Sequence, residues 1–441
     1  MNRLRAFNLA EQMFAYVDRL GPIERLPIPV LLTAARNVSA LGDQARALKY
    51  LDEAKRADPD FPPTLLSRGQ VLMFLGRFEE CTREIRLCMR RAPELGQGWW
   101  LLSKNLQVAD AGEVVRGVRR QLQTRSHGPV DQAMLGFALH LALDHLGQFG
   151  DSWEALARAC VAKRNTLNYV AEQSRRLVNR LIQSCSRPAE VVEVHAGAVP
   201  IFIVGMHRSG TSLLESLLSA HPQVKALGEL YDFSHALCFA ADHRCQGVVD
   251  ETIVDCAQTI DLGVVGRRYL ESGAWRRGAA RHFTDKLPSN FLHIGFICQA
   301  LPDAKILHLV RDPMETCFSN LRELFSDACA YSYDQIELAD YYADYHRLMV
   351  HWRQRYPGRI HDVSYAELTQ DPERTLREAM AYLGIAFEAG MPRSLGQSAV
   401  ATASAVQVRK QVSRPSIAKW RAYEAEIQPL AQRLRALGML R

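Results

Sequence analysis

The sequence predicts an all-α helical-repeat domain followed by an α/β domain with a central parallel sheet. Three observations lead there. Residues 1–185 carry no period-two strand signal and contain an internal repeat. Residues 186–199, with Pro188 and a run of small residues, read as a linker. From residue 200 to 441 the pattern changes to short apolar runs alternating with helical stretches, which specifies βα units. At 441 residues, 48% hydrophobic and 23% charged, the chain has enough apolar material for two or three packed cores.

The repeat has a shift of 34 residues. Leu41-Gly42-Asp43 recurs as Leu75-Gly76-Arg77, and Asp58-Pro59 as Ala92-Pro93. The same shift carries Ala47, Leu51 and Ala54 onto Cys81, Ile85 and Cys88. A weaker copy runs from Leu146-Gly147-Gln148-Phe149 through Ala155, Leu156 and Ala159, whereas the stretch around 108–130 fits poorly. This pattern resembles the tetratricopeptide repeat (TPR), a helical hairpin in which small and large apolar residues interlock. The resemblance implies a concave surface suited to a peptide or protein partner, which either presents an acceptor or drives oligomerisation.

In the second half, strands are expected at 201–204, 282–284, 305–310 and 360–363. Helices are expected at 211–220, 290–300, 313–325, 335–356 and 371–384, with an amphipathic tail at 424–438. The first strand, Ile201-Phe-Ile-Val204, runs into Gly205-Met-His-Arg-Ser-Gly-Thr-Ser212. That is the frame of a phosphate-binding loop, G-x-x-x-x-G-K-[ST], with Thr211 at the lysine position and Arg208 inside the loop. Backbone N–H groups and a helix N-terminus remain for a phosphate. Arg208, Ser209, Gly210, Thr211 and Ser212 are therefore candidate anion ligands, while hydrolysis of ATP in the usual way is disfavoured.

A second segment, Lys305-Ile-Leu-His-Leu-Val-Arg-Asp-Pro313, delivers Arg311 to the carboxyl end of a strand, where open α/β sheets bind ligands. Asp312 caps the next helix and Pro313 opens it. Arg311 is placed for a second phosphate, with Ser319 two turns on. Reading Asp312 as a magnesium-binding aspartate is disfavoured by the adjacent arginine. The histidines at 207, 282, 293 and 308 show no metal-ligand spacing, and the tyrosines between 331 and 345 read as packing.

Together the two segments resemble the sulfotransferases that use 3′-phosphoadenosine-5′-phosphosulfate (PAPS), and lean toward the tyrosylprotein sulfotransferases. His221-Pro222 follows the loop at the family's spacing. Asp285-Lys286-Leu287-Pro288 resembles the segment whose lysine contacts the scissile oxygen, and Val363-Ser364-Tyr365 the segment whose tyrosine helps hold the nucleotide. Ser404-Ala-Val-Gln-Val-Arg-Lys410, followed by Lys419-Trp420, matches a further serine and a lysine–tryptophan pair. The likeness spans about 200–421. It implies Glu229, Lys286 and Ser404 as catalytic residues. It implies Arg208, Ser209, Gly210, Thr211, Ser212, Arg311, Ser319, Tyr365 and Lys419 as nucleotide ligands. PAPS is then the donor, 3′-phosphoadenosine-5′-phosphate (PAP) the product, a hydroxyl the acceptor (a protein tyrosine among the candidates), and no metal takes part. Two departures stand out. Where the family reads Gly-Glu-Glu, this chain reads Gly228-Glu229-Leu230, so either Glu229 is the base or Leu230 replaces it. Glu323, beside Arg322, stands where the family has arginine.

Two other classes follow from these departures: a repeat scaffold whose PAP(S)-binding domain has lost its base, and a P-loop kinase or NTPase, which Thr211 opposes. The ten cysteines contain no C-x-x-C pair and read as reduced thiols. The formal charge of +6 is spread too thinly for nucleic-acid coating. No apolar stretch is long enough to span a membrane, no secretory signal is expected, and a cytoplasmic location follows.

Overall fold

The computed structural model describes the chain apart from residues 3, 5–7, 106–109, 125, 185–196, 246, 392–417 and 441. The first half is helical: α1 (Ala10–Asp18), α2 (Ile28–Ala40), α3 (Gln44–Ala57), α4 (Pro62–Phe74), α5 (Phe78–Arg91), α6 (Gly96–Lys104), α7 (Ala111–Thr124), α8 (Pro129–His145), α9 (Phe149–Arg164) and α10 (Ala171–Ser184). Helices α2, α4 and α6 begin 34 residues apart, at Ile28, Pro62 and Gly96. Their partners α3 and α5 return antiparallel after tight turns in which Gly42 and Gly76 take positive φ. Close packing fixes the repeat: a Cβ on Gly69 would lie 2.5 Å from Ile85 Cδ1, so α4 and α5 touch backbone to side chain. Ala47, Leu51, Ala54, Cys81, Ile85 and Cys88 are all buried in one core.

The second half winds around a parallel sheet. Its elements are β1 (Val199–Gly205), α11 (Thr211–Leu218), β2 (Val224–Ala226), α12 (Asp232–Ala240), α13 (Glu251–Asp255), α14 (Leu262–Ser272), α15 (Ala274–Arg277) and β3 (His282–Asp285). There follow α16 (Ile294–Ala300), β4 (Lys305–Val310), α17 (Pro313–Leu321), α18 (Gln335–Arg355), β5 (Ile360–Ser364), α19 (Tyr365–Gln370), α20 (Pro372–Leu383) and α21 (Gln428–Ala436). The strand order is β2-β3-β1-β4-β5. After β1 the chain crosses to one side for β2 and β3, then to the other for β4, so the switch point lies between β1 and β4. Gly205 pairs in register with Leu309, which sets the ends of β1 and β4 side by side.

Both faces of the sheet are covered, which is why its strands read as apolar runs. Ile201, Ile203, Leu307 and Leu309 pack with α11 and α20. Phe202, Val204 and Ile306 face the other way, into a core that also contains Phe137, Leu156, Val178 and Leu181 from α8–α10. The last helices of the first half thus share the sheet's core. The expected linker at 186–199 falls outside the described residues except for 197–199.

Several expectations need correction. The strand β2 and the helices α12 to α15 between 224 and 277 were not expected; β2 is three residues long and too short for a periodic signal. The helix expected at 313–325 ends at Leu321, because Arg322 and Glu323 turn aside to pair with Asp144 and Lys104. The helix expected from 290 is preceded by a 3₁₀ turn, Pro288–His293, that starts on the proline. The helix expected at 211–220 stops at Leu218. The tail is a 3₁₀ turn, Lys419–Tyr423, followed by the shorter α21. The tyrosines behave as packing: Tyr331 and Tyr341 stack at 3.6 Å. No disulfide is present among the described cysteines.

Two buried histidines outside the loop give stability a pH dependence. Burial holds His140 down to about 3, with Arg322 adding to the effect, and holds His293 down to about 4. Their folded values lie below the roughly 6.5 of an unfolded imidazole, so unfolding takes up protons in that window. This stabilisation is complete above about pH 6.5 and is lost as pH falls. Melting temperature should therefore drop between pH 7 and 5. His140→Gln should reduce the proton uptake on unfolding at pH 5 by about one; an unchanged pH slope would show that His140 is not buried as the neutral form.

Candidate active site

The loop between β1 and α11 is built by backbone geometry. Gly205 takes φ 151°, Arg208 φ 66° and Gly210 φ 112°. These left-handed turns fold the loop back over the sheet edge, a conformation that costs a non-glycine residue such as Arg208 strain, of order 1–3 kcal/mol. Neighbours hold Arg208 there: Arg311 Nη1 donates to its carbonyl at 2.9 Å, and Asn320 Nδ2 donates to the carbonyl of His207 at 2.7 Å. Gly210 caps α11 without a side-chain hydrogen bond. The ring of Tyr365 lies against it, so close that a Cβ on Gly210 would sit 2.3 Å from Tyr365 Cδ2. The guanidinium of Arg311 lies over the same ring, 4.5 Å from its centroid.

Arg208 points inward. Its side chain is 6% exposed, its Nε donates to Ser319 Oγ at 3.3 Å, and its Nη1 is 3.8 Å from Glu323 Oε2. Burial lowers its pKa, and Arg311 and Arg322 push the same way against Glu323. Glu323 also accepts from Lys104 Nζ at 2.7 Å. Lys104 comes from α6, and burial lowers its pKa too. The hydroxyl of Ser209 is buried and meets no hydrogen-bond partner among the described residues; Thr316 Oγ1 is in the same condition.

The second part lies beyond β3. Lys286 is fully buried, and its Nζ donates to Glu229 Oε1 at 2.8 Å. Glu229 is 28% exposed, whereas Leu230 is 1% exposed and packs in the core. Of the two registers the sequence allowed, the structure turns Glu229 toward the lysine. The Gly228–Glu229 loop is anchored twice. Glu215 Oε1, on α11, accepts from Gly228 N at 3.0 Å and from Thr284 Oγ1 at 2.6 Å, and Lys286 N donates to Gly228 O at 2.9 Å. Burial raises the pKa of Glu215, partly offset by Lys286. Asp285, also buried, accepts from Tyr269 and Asn290, and burial raises it well above the usual carboxylate range.

The structure therefore groups Arg208, Ser209, Gly210, Thr211, Ser212, Arg311, Ser319 and Tyr365 at the β1/β4 switch point. Glu229 and Lys286 sit at the end of the neighbouring strand. Lys419 is exposed at the start of the 3₁₀ turn whose Tyr423 donates to Asp144 at 2.5 Å. Ser404 lies outside the described residues. No cluster of metal-binding side chains occurs among the described residues. His207 lines the loop, its Nδ1 3.1 Å from Tyr331 OH, and burial holds it down to about 4. Sequence reasoning missed Glu215, Asn320 and the Lys104–Glu323 pair. Glu215 had a visible signal, a lone acid in the apolar run Leu213-Leu214-Glu215-Ser216-Leu217-Leu218. The Lys104–Glu323 contact spans 219 positions and had none.

Residues 200–389 match the model of the sulfotransferase family. This part of the chain is a sulfotransferase-family domain. An uncharacterized protein of Aquifex aeolicus (strain VF5) is 30% identical over 316 residues, which cover 68% of this chain and 41% of that protein. Protein-tyrosine sulfotransferase 2 of Gallus gallus is 24% identical over 245 residues, 50% of this chain and 62% of its own length. The chain thus spans about two-fifths of the first relative and less than two-thirds of the second. The sulfotransferase domain includes the loop, Glu229, Lys286, Arg311, Ser319 and Tyr365, and stops short of Ser404 and Lys419.

The contact between Gly210 and Tyr365 makes a direct test. Gly210→Ala should destabilise the domain by roughly 1–3 kcal/mol through its φ, with a further cost from the clash. Gly210→Ala combined with Tyr365→Ala should relieve the clash but not the backbone strain. Urea midpoints of the two variants measure both parts; a Gly210→Ala protein as stable as the parent would sink this account of the loop.

Proposed function

We propose that the chain is a sulfotransferase that moves the sulfuryl group of PAPS to a hydroxyl acceptor and releases PAP. The observation that carries this reading is the 2.8 Å contact between Glu229 and the buried Lys286, next to the lysine-less phosphate loop. Two features support an anionic nucleotide as donor. Ser209 Oγ is buried without a partner, at the N-terminus of a helix with no side-chain cap. Arg208 and Arg311 bring two guanidinium groups beside it, and fork-shaped donors suit phosphate and sulfate oxygens.

In the proposed reaction the acceptor oxygen attacks sulfur in line with the bridging oxygen of the phosphosulfate. A new O–S bond forms, the old S–O bond breaks, and the bridging oxygen leaves with PAP carrying the electron pair. The acceptor proton passes to the carboxylate of Glu229, which contributes roughly 10²–10⁴-fold as general base. Charge grows on the leaving oxygen, and Lys286, already buried and directional, is the cation assigned to it. By analogy with phosphoryl transfer, the remaining catalysis is alignment. Arg208, Ser209, Gly210, Thr211 and Ser212 hold the 5′-phosphosulfate. Arg311, Ser319, Tyr365 and Lys419 hold the rest of the nucleotide, and Ser404 donates to the transferring group. The 34-residue hairpins are read as tetratricopeptide repeats that engage a peptide or protein.

PAP should raise the melting temperature, and ATP with Mg²⁺ should not; stabilisation by ATP–Mg²⁺ alone would overturn the donor assignment. With labelled PAPS, Glu229→Gln should cut transfer about 10²–10⁴-fold while PAP still stabilises the protein. Transfer undiminished in that variant would remove Glu229 as the base.

A further inference from the structure

We infer that the face of the helical hairpins that carries Arg36 and Gln70 is one wall of the acceptor site, and that the acceptor it holds is an extended polypeptide segment. This inference rests on the sulfotransferase reading and names the substrate class of the same site.

Glu229 lines a cavity of about 670 Å³, and the opposite wall comes from the first half of the chain. Arg36 on α2, Gln70 on α4, and Phe74 and Gln97 face it, with Glu229 and Arg276 on the sulfotransferase side. This volume lies within the usual range of ligand sites, roughly 300–1,000 Å³, and exceeds what one acceptor side chain would fill.

The repeat register explains which side chains point there. Arg36, Gln70 and Lys104 are spaced by 34 residues, so they occupy one position of successive hairpins, on α2, α4 and α6. The third member has its partner in the sulfotransferase domain: Lys104 reaches Glu323, which also meets Arg208 of the loop. The first two line the cavity. Neither Arg36 nor the amide of Gln70 meets a hydrogen-bond or ion-pair partner among the described residues, and the same is true of Gln97. One row of equivalent positions thus runs from the nucleotide loop into the cavity. Its inner end is satisfied within the chain, and its outer end presents unused donors and acceptors.

Contacts at both ends hold the array against the site. Phe14 on α1 packs edge-on against Trp275 at 4.8 Å. Farther along, Asp144 pairs with Arg322 at 2.6 Å and Glu337 with Arg164 at 2.8 Å. An acceptor hydroxyl at Glu229 therefore lies against α2 and α4. Carboxamides both donate and accept, which matches the alternating N–H and C=O groups of an extended backbone. The carboxamides of Gln70 and Gln97, with the Arg36 guanidinium on the same wall, favour such a strand of polypeptide over a compact phenol or sugar.

The test compares donor and acceptor sites in the full chain. PAP stabilisation is measured first; its absence would overturn the donor reading, and the acceptor assignment falls with it. Labelled PAPS is then supplied with two acceptors: a library of random peptides around a fixed Tyr, Ser or Thr, and p-nitrophenol. Peptide labelling by the parent protein is expected. Arg36→Ala combined with Gln70→Ala should raise the KM for the labelled peptides about ten-fold or more. KM for PAPS, the rate with p-nitrophenol and PAP stabilisation should stay unchanged. If no peptide pool is labelled while PAP binds, or if the double variant changes peptide and p-nitrophenol transfer alike, the inference falls.

Discussion

The fully buried ammonium of Lys286 sets the terms for the rest of the site. A lysine taken wholly out of water is costly unless a charge or several hydrogen bonds meet it. Glu229 meets it at 2.8 Å while keeping a quarter of its own surface open. That asymmetry divides the work: the cation is fixed, dry and directional, and the carboxylate stays reachable. The arrangement holds because the Gly228–Glu229 loop is tied to α11 through Glu215 and to the end of β3 through the Lys286 amide. Both anchors come from elements already needed for the phosphate loop and the sheet. The chemistry of one strand end is thereby registered against that of the next.

Charge balance around the loop points the same way. Arg208, Arg311, Lys104 and Lys286 converge on a region where Glu229, Glu315 and Glu323 supply the anions. Burial lowers the pKa of both Arg208 and Lys104. A site that holds cations against their desolvation cost has its electrostatics completed by an anionic ligand, and with the orphaned Ser209 hydroxyl this is what supports the proposal of a phosphosulfate donor. Glu323 joins this network to α6, so the helical array is part of the electrostatics of the loop as well as its neighbour in space.

Much of this could be read from the chain because it depends on local rules. Glycines at 205 and 210 announced the frame of a phosphate-binding loop, the apolar runs at 201–204 and 305–310 announced buried parallel strands, and Pro313 after Asp312 announced a helix start that the Asp312 cap fulfils. The region from 224 to 277 was illegible by the same rules: β2 is three residues, α13 five and α15 four, below the length at which periodicity speaks. Glu323 shows the other kind of failure. Read against a family pattern it was a missing arginine; in space it is the hub of an ion-pair network with Lys104 and Arg208.

By itself the sequence determined the elements whose cause is local: the 34-residue hairpins, the loop with Thr211 in place of lysine, and the strand that carries Arg311 to the sheet edge. Tertiary structure alone decided three things. It turned Glu229 toward Lys286 and buried Leu230, it gave Lys286 its partner 57 positions away, and it laid Arg36 and Gln70 along the cavity that Glu229 lines. The physical reason is that turn conformation and periodicity act over a few residues. The pairing of buried charges is set by which surfaces the two cores bring together, and no local pattern records that.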